Sequence, residues 1–445
     1  MRNAPPDSRR VTLLLFSALV ADMLAFTCIL PLFPSILNYY SKSEEKDWLF
    51  ESIQQNLVKF ERLIGVPGNE RYHNSFFGGL LGSLFSALQF VASPTLGALS
   101  DTYGRKPLMI LSAIGTFTSY VVWLYSKSFS LFVLSRVIGG LSKANINVAT
   151  AIITDVYPPE QRQRGMAIVG MSYSVGFLVG PMIGAFFSKI APVNQFYTTP
   201  AYFSIVMTII YFLIVFFALP ETGLRSQVEK FKSSSRVKQL VHPGELFKFS
   251  AIEAPAEKKE QIQHIGWVYF LYLFLYAGLE FTLPFLTHER FGFDSMQQGK
   301  IYLFRGLLML PIQGHFVRKT PMHRQKLVAQ VGLTCIVPAF LLCAIAESLP
   351  VLYAGLALYA IASATVVTSL TCLVTNVYPT KDHGALAGVF RSLGALSRAL
   401  GPVLAASVFW LLGPTLCYTI GAFLLLIPLY LARKIPNPPK VEKEN

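Results

Sequence analysis

Seven ionisable side chains fall inside long apolar runs of this 445-residue chain, and they are the residues whose chemistry demands an explanation. Asp22 and Glu280 are acidic, while Arg136, Lys143, Arg305, Arg391 and Arg398 are basic. An isolated charge in hydrocarbon is costly, so each is a functional candidate that needs a partner or a water-filled cavity. Arg136 and Lys143 are seven residues apart, as are Arg391 and Arg398, which is about two helical turns or roughly 10 Å. Each pair therefore shares one helix face. Asn147 continues the face of Lys143, and Ser142 and Asn145 widen it. Faces of this kind look into a polar interior rather than at lipid. Lys143, Arg391, Arg136, Arg398, Asn147 and Arg305 are thus candidate substrate contacts, Lys143 and Arg391 foremost. The alternative for each cation is a fixed ion pair that serves packing.

With both acids ionised, the in-span charge is an excess of three positive charges, which an anionic substrate relieves and a cationic one worsens. Asp22 and Glu280 lie deep in their runs, where a carboxyl can take up a proton or pair with a cation. They are candidate proton carriers, Glu280 ahead of Asp22 because it departs from the aromatic stretch Trp267 to Tyr276. A permanent ion pair is the competing reading for both. Phe26, Phe281 and Tyr173 are available to pack an apolar body, although aromatics make up 13% of the chain and ordinarily pack core or lipid.

The elements that must hold these charges are membrane helices. Hydrophobic residues make up 53% of the chain and charged residues 14%, against roughly 25% charged in a soluble domain. Twelve runs reach the approximately 20 apolar residues that a helix needs to span hydrocarbon. They are Val11–Leu37, Ser75–Leu99, Leu108–Tyr125, Phe129–Thr154, Gly165–Ile190, Ala201–Leu219, Ile265–Thr287, Gln298–Phe316, Leu327–Ala346, Pro350–Asn376, Gly384–Leu412 and Thr415–Ala432. The chain reads as an all-α polytopic membrane protein. Of its 38 Lys and Arg, 24 fall in segments on the side of the N-terminus and 9 on the other, which predicts both termini in the cytoplasm. A polar stretch, residues 220–264, reads as a cytoplasmic linker between an N-terminal half, 1–219, and a C-terminal half, 265–445. The loop 38–74 lies on the opposite side and reads as a partly helical lid. Five cysteines sit in apolar runs without a CxxC pair, which makes them packing thiols.

An offset of 221 residues aligns Thr154, Val156, Tyr157, Pro158, Gly180 and Pro181 with Thr375, Val377, Tyr378, Pro379, Gly401 and Pro402 without a gap. Two six-span halves thus share the junction between their fourth and fifth helices, the mark of parallel repeats. Between the second and third spans, Gly97, Asp101, Gly104, Arg105 and Lys106 stand as G-x-x-x-D-x-x-G-R-K. Arg136 with Gly140 forms R-x-x-x-G, and Gly176, Gly180, Pro181 and Gly184 form G-x-x-x-G-P-x-x-G. On these motifs the chain resembles the major facilitator superfamily over nearly its whole length. The stretches Asp22 to Thr27, Arg71 to Gly79, Phe285 to Phe291 and, above all, Arg391 to Pro402 resemble its tetracycline-transporter-like branch, its animal members in particular.

The resemblance implies the major facilitator fold, twelve transmembrane helices in two six-helix halves. It also implies alternating access and the transport of organic anions or amphipathic drugs, with protons as a candidate driving ion. The first motif would act as a latch between the halves. Gly139 replaces the usual Gln of the second motif, and the counterpart of the latch in the second half, Gly314 with Arg318, is degenerate. Glycines of the third motif, with Gly401 and Pro402 in the other half, would allow close helix approach and a bend. The competing classes are a membrane scaffold that kept the fold and lost transport, and a carrier of cationic amphiphiles. No nucleophile with an adjacent base, metal-ligand cluster or phosphate-binding loop is evident. The expectation is therefore a monomeric carrier in the plasma membrane or an organelle membrane, not an enzyme, with no cofactor, metal or nucleic-acid partner.

Overall fold

The computed structural model describes residues 8–42, 47–64, 73–143, 145–157, 162–191, 197–222, 242–250, 255–317, 320–377 and 383–436, and among these all regular structure is helical. The chain opens with α1 (Ser8–Thr27), a 3-10 turn (Leu30–Leu32) and α2 (Phe33–Ser41), which together make the first span. A helix of the loop that follows, α3 (Trp48–Ile64), precedes α4 (His73–Tyr103), α5 (Arg105–Leu124), α6 (Phe129–Ser142), α7 (Asn145–Val156), α8 (Arg162–Ile190) and α9 (Thr198–Leu213). After the short α10 (Pro243–Phe247) come α11 (Ala256–Phe291), α12 (Ser295–Pro311), α13 (Gln325–Ile345), α14 (Leu349–Val377), α15 (His383–Leu424) and α16 (Leu426–Lys434).

Nine helical stretches among the described residues are long and apolar enough to cross a membrane. The count falls short of twelve for three local reasons. The fourth span, expected as one helix from Phe129 to Thr154, is broken at Lys143 (φ −82°, ψ 79°) into α6 and α7. The eighth ends its α-helix after 17 residues and continues as a π-helical turn, Ile312–Val317. The eleventh and twelfth run on as one element, in which Gly413 (φ 78°, ψ 173°) makes the reversal that separates them. An even number of crossings puts residues 8 and 436 on one face, the terminal face, and the α2–α4 and α5–α6 connections on the distal face.

The linker expectation also shifts. Helix α11 starts at Ala256, nine residues before the expected Ile265, because Pro255 at its N-cap sets the entry and the polar run to His264 has no helix breaker. Gln263 Nε2 donates to the Lys248 carbonyl (2.9 Å) and His264 Nε2 lies 2.9 Å from the Leu431 carbonyl, so this polar turn is tied to its neighbours. The loop 38–74 holds an amphipathic helix, as expected. Asp47 caps α3 by accepting from Leu49 N (2.8 Å) and also takes the Ser130 amide (3.0 Å) and hydroxyl (2.5 Å), while Phe50 stacks on Phe77 at 4.7 Å. Those contacts fasten α3 to the start of α6 and to α4.

Within the first half, α1 packs on α8 and α9, and α5 on α6 and α9; within the second, α11 packs on α15 and α13 on α14. The halves meet where α4 lies along α15 and α8 along α12. The large buried aromatics, Trp123, Phe129 and Phe132 on one side and Tyr272, Tyr359 and Tyr418 on the other, fill the interiors of the two groups. The five cysteines are all free, and each is buried or half-buried.

Candidate substrate and coupling site

The helix break builds the first charged cluster. Lys143 ends α6, and its Nζ reaches Asp22 Oδ1 of α1 at 2.6 Å. Both side chains are shut away, 3% and 1% exposed, and the ammonium lies 5.0 Å from the Phe26 ring centroid. The carbonyls freed at the break are taken up by neighbours. Ser112 donates to the Ser142 carbonyl, and Gln89 Nε2 to the Lys143 carbonyl at 3.4 Å. Among the described residues, Asp22 Oδ2 and both amide atoms of Asn145 are buried without a hydrogen-bond partner.

The second cluster belongs to the other half. Arg305 Nη2 of α12 donates to Glu280 Oε1 of α11 at 2.7 Å, with the arginine side chain 7% and the glutamate 28% exposed. Tyr276, one turn before Glu280, donates to the same oxygen at 3.3 Å and lies 2.7 Å from the Ser363 hydroxyl of α14. The Arg305 guanidinium sits 4.0 Å from the Tyr359 ring centroid and 5.6 Å from that of Tyr302. Charge, hydroxyls and rings form one connected network open at Glu280.

Helix α15 supplies the third group. Arg398 is fifteen residues from both His383 and Gly413, hence at the middle of its crossing, and it is exposed. Among the described residues it meets no carboxylate, and it lies near enough to Tyr173 of α8 and Tyr269 of α11 to act on both phenols electrostatically. Arg391, two turns nearer the terminal face, is committed across the seam between the halves. Its Nη1 donates to the Ile146 carbonyl (2.9 Å) and Asn147 Oδ1 (3.0 Å), and its Nη2 bonds the Thr150 hydroxyl, all on α7. On the distal side the halves touch through the Ser35 and Ser295 hydroxyls (3.1 Å) and through Phe33 edge-on to Phe281 (5.7 Å). Arg136 lies apart from all three groups, 3% exposed at the middle of α6.

The glycine motif does a specific job. A methyl group at Gly176, Gly180 or Gly184 would strike Met23, Thr27 or Cys28 of the first span, so these glycines seat α8 against its neighbour in the same half. Gly401 and Gly278 play the same part between α15 and α11, and Val403 N, just past Pro402, finds the Ser83 hydroxyl of α4 at 2.9 Å. At the first motif, expected to latch the halves together, Gly104 takes φ +105°, a conformation that suits glycine, and the described partners of Arg105 and Lys106 come from the first half and the residues just after α9 rather than from the second half. The residues Arg105 N and Lys106 N then donate to the two oxygens of Glu221 (2.8 and 3.1 Å), while Arg105 binds Asp155 (2.9 Å) and the Ser100 hydroxyl (2.7 Å). Gly97 faces open space rather than a close neighbour. The side chain of Asp101 lies outside the described residues, as do Tyr378 and Pro379 of the repeat.

Sequence reasoning brought out the seven charges but not their partners. Tyr276 is four residues before Glu280, a spacing that places it on the same face and could have flagged it. Nothing local marks Ser363, Tyr359, Asp155 or Thr150, which arrive from other helices.

Comparison with known proteins fits this architecture. The chain is 40% identical to the chain in a crystal structure of the human organic anion transporter MFSD10 (TETRAN), matching 96% of this chain and 100% of that one with a TM-score of 0.79. It is 43% identical over 455 residues to mouse major facilitator superfamily domain-containing protein 10, which spans all of this chain and 97% of the relative. The class B tetracycline resistance protein of Escherichia coli is 26% identical over 337 residues, 74% of this chain and 78% of that protein. A model of the Major Facilitator Superfamily matches residues 15–402, and the chain belongs to that superfamily.

Proposed function

We propose that the chain is a secondary active transporter that carries small organic anions by alternating access between its two six-helix halves, with Arg398 as the anion contact and Glu280 as the proton-exchanging group. The reading rests above all on Arg398, an exposed guanidinium at the centre of its crossing, beside helices of both halves and with no carboxylate on it. The two cations foremost in the sequence are committed instead, Lys143 to Asp22 and Arg391 to three acceptors on α7, and Arg305 is held by Glu280. The similar human protein is named an organic anion transporter, which accords with a cationic centre.

The excess of Lys and Arg on the terminal face supports a cytoplasmic location for both termini and the linker. In that orientation Arg391 closes the cytoplasmic side, and the substrate reaches Arg398 from either face as the seam contacts break in turn. The two pair-bearing halves, 1–219 and 265–445, each seated by its own close-packed glycines, act as rigid bodies that a linker joins.

Uptake of an aryl carboxylate into proteoliposomes, with and without an imposed pH gradient, tests the assignment. Arg398→Gln removes the charge at an exposed position while leaving a polar side chain, and should weaken apparent affinity at least tenfold, since a charge-assisted hydrogen bond contributes about 1.5–3 kcal/mol. Normal uptake by this variant would remove the anion assignment.

A further inference from the structure

The Arg136 guanidinium is a buried charge that the transport reading does not use. It is 3% exposed, its Nε donates to the Ser135 hydroxyl at 3.2 Å, and its Nη2 is wholly buried with no hydrogen-bond partner among the described residues. Trp123 and Phe132 flank it, with ring centroids at 5.5 and 5.4 Å. The titratable groups that face it are the phenols of Tyr120 and Tyr40, and the Tyr40 hydroxyl is spent on the Ser126 carbonyl at 2.7 Å. No carboxylate among the described residues forms an ion pair with it. Asp22 is held by Lys143, two turns further along the same span.

Ring faces stabilise a guanidinium only partly, and an unpaired ion buried in a membrane carries a large desolvation cost. The unmet hydrogen-bonding function at Arg136 is a donor. A water molecule would accept from Nη2 but would leave the charge uncompensated, whereas an anion answers both needs. From this arrangement we infer that Arg136 and its aromatic walls form a binding site for a small inorganic anion of halide type, resident in the N-terminal half and separate from the organic substrate. The tight enclosure of the guanidinium favours an ion without an organic body. Occupancy couples α5, which carries Trp123, to α6, which carries Arg136, and so makes their packing depend on the anion.

The test uses the purified full-length protein and bromide as the probe, titrated against gluconate at constant ionic strength while tryptophan emission is followed. Trp123 is 1% exposed and out of reach of collision from solvent, so bromide quenches it only by binding beside it. The expected result is a saturable quenching component that vanishes in Trp123→Phe and in Arg136→Gln, and whose half-saturation does not move when an aryl carboxylate is added. Should Arg136→Gln fail to fold, the wild-type and Trp123→Phe titrations decide the matter. Quenching that is only linear in bromide, or a saturable component that survives Trp123→Phe, would overturn the site. A half-saturation that rises at least tenfold with the aryl carboxylate would overturn its separateness and give Arg136 to the organic substrate. The outcome is independent of whether Arg398 binds organic anions.

Discussion

Two ion pairs of nearly equal length, one in each half, differ in their access to water. Asp22 and Lys143 are sealed at 1% and 3% exposure, whereas Glu280 is 28% exposed and shares its oxygen with a tyrosine as well as Arg305. A sealed pair is bound to its partner by the cost of leaving either charge alone in low dielectric. A pair with an open carboxylate and a second donor can lose one contact, meet water or a proton, and reform. The same chemistry is therefore a closed rivet in one half and a pair open to water in the other.

The largest expected effect breaks the rivet. Asp22→Asn strands Lys143, and the melting temperature of the purified protein should fall in keeping with a loss of about 3–5 kcal/mol. The double variant Asp22→Asn/Lys143→Met should recover much of that loss. A single variant that melts like the parent would show that the N-terminal pair is not sealed. Glu280→Gln should be milder for stability, about 1–2 kcal/mol given its exposure and remaining hydrogen bonds. Its signature is functional: accumulation driven by a pH gradient is lost while substrate-for-substrate exchange survives. Equal loss of both modes together with a large drop in melting temperature would make the two pairs alike.

A smaller effect is expected where the halves meet. Arg391→Gln removes three donations across the seam, each contributing roughly 1 kcal/mol. Labelling of Asn147→Cys by an aqueous thiol reagent should rise several-fold in that background, and an unchanged rate would mean that Arg391 does not hold the seam. The smallest effect concerns the distal helix α3. Burial pushes the Asp47 carboxyl upward, but the Ser130 hydroxyl and amide and the Leu49 amide more than offset it and hold it below the ordinary 3.8. A lowered value in the folded state means that the docking contribution is present above about pH 4 and is lost only as pH falls through the lowered value. Hydrogen exchange in residues 48–56 should be flat from pH 7 to 5, after correction for the intrinsic rate, and should accelerate below 3.8.

Much of this was legible from the sequence, because lipid imposes a strong condition: about 20 apolar residues per crossing and few charges, each demanding a reason. The apolar runs located the spans, and the in-span charges marked the three charged groups of the candidate site. The break at Lys143 was not legible, since no Gly or Pro stands there and the groups that satisfy it, Gln89 and Ser112, sit on other helices. Pairing was equally hidden. Asp22 and Lys143 are 121 residues apart and Glu280 and Arg305 are 25 apart, so only tertiary packing selects one cation over another. Reading Glu280 as a departure from the aromatic stretch Trp267 to Tyr276 did not reveal Arg305 as its partner, since that pairing depends on how α11 and α12 cross.

Helix α11 runs 36 residues without interruption from the polar turns at Ala256 to Phe291, about 54 Å, while the hydrocarbon core is about 30 Å thick. It therefore stands out of the bilayer on the terminal face as a stiff mast. Glu260 lies twenty residues, or about 30 Å, from Glu280 on the same rod, with no proline between them. A tilt of about 10° around the carboxylate would carry a spin label at position 260 through about 5 Å in water, amplifying at the surface a motion too small to follow at the buried centre.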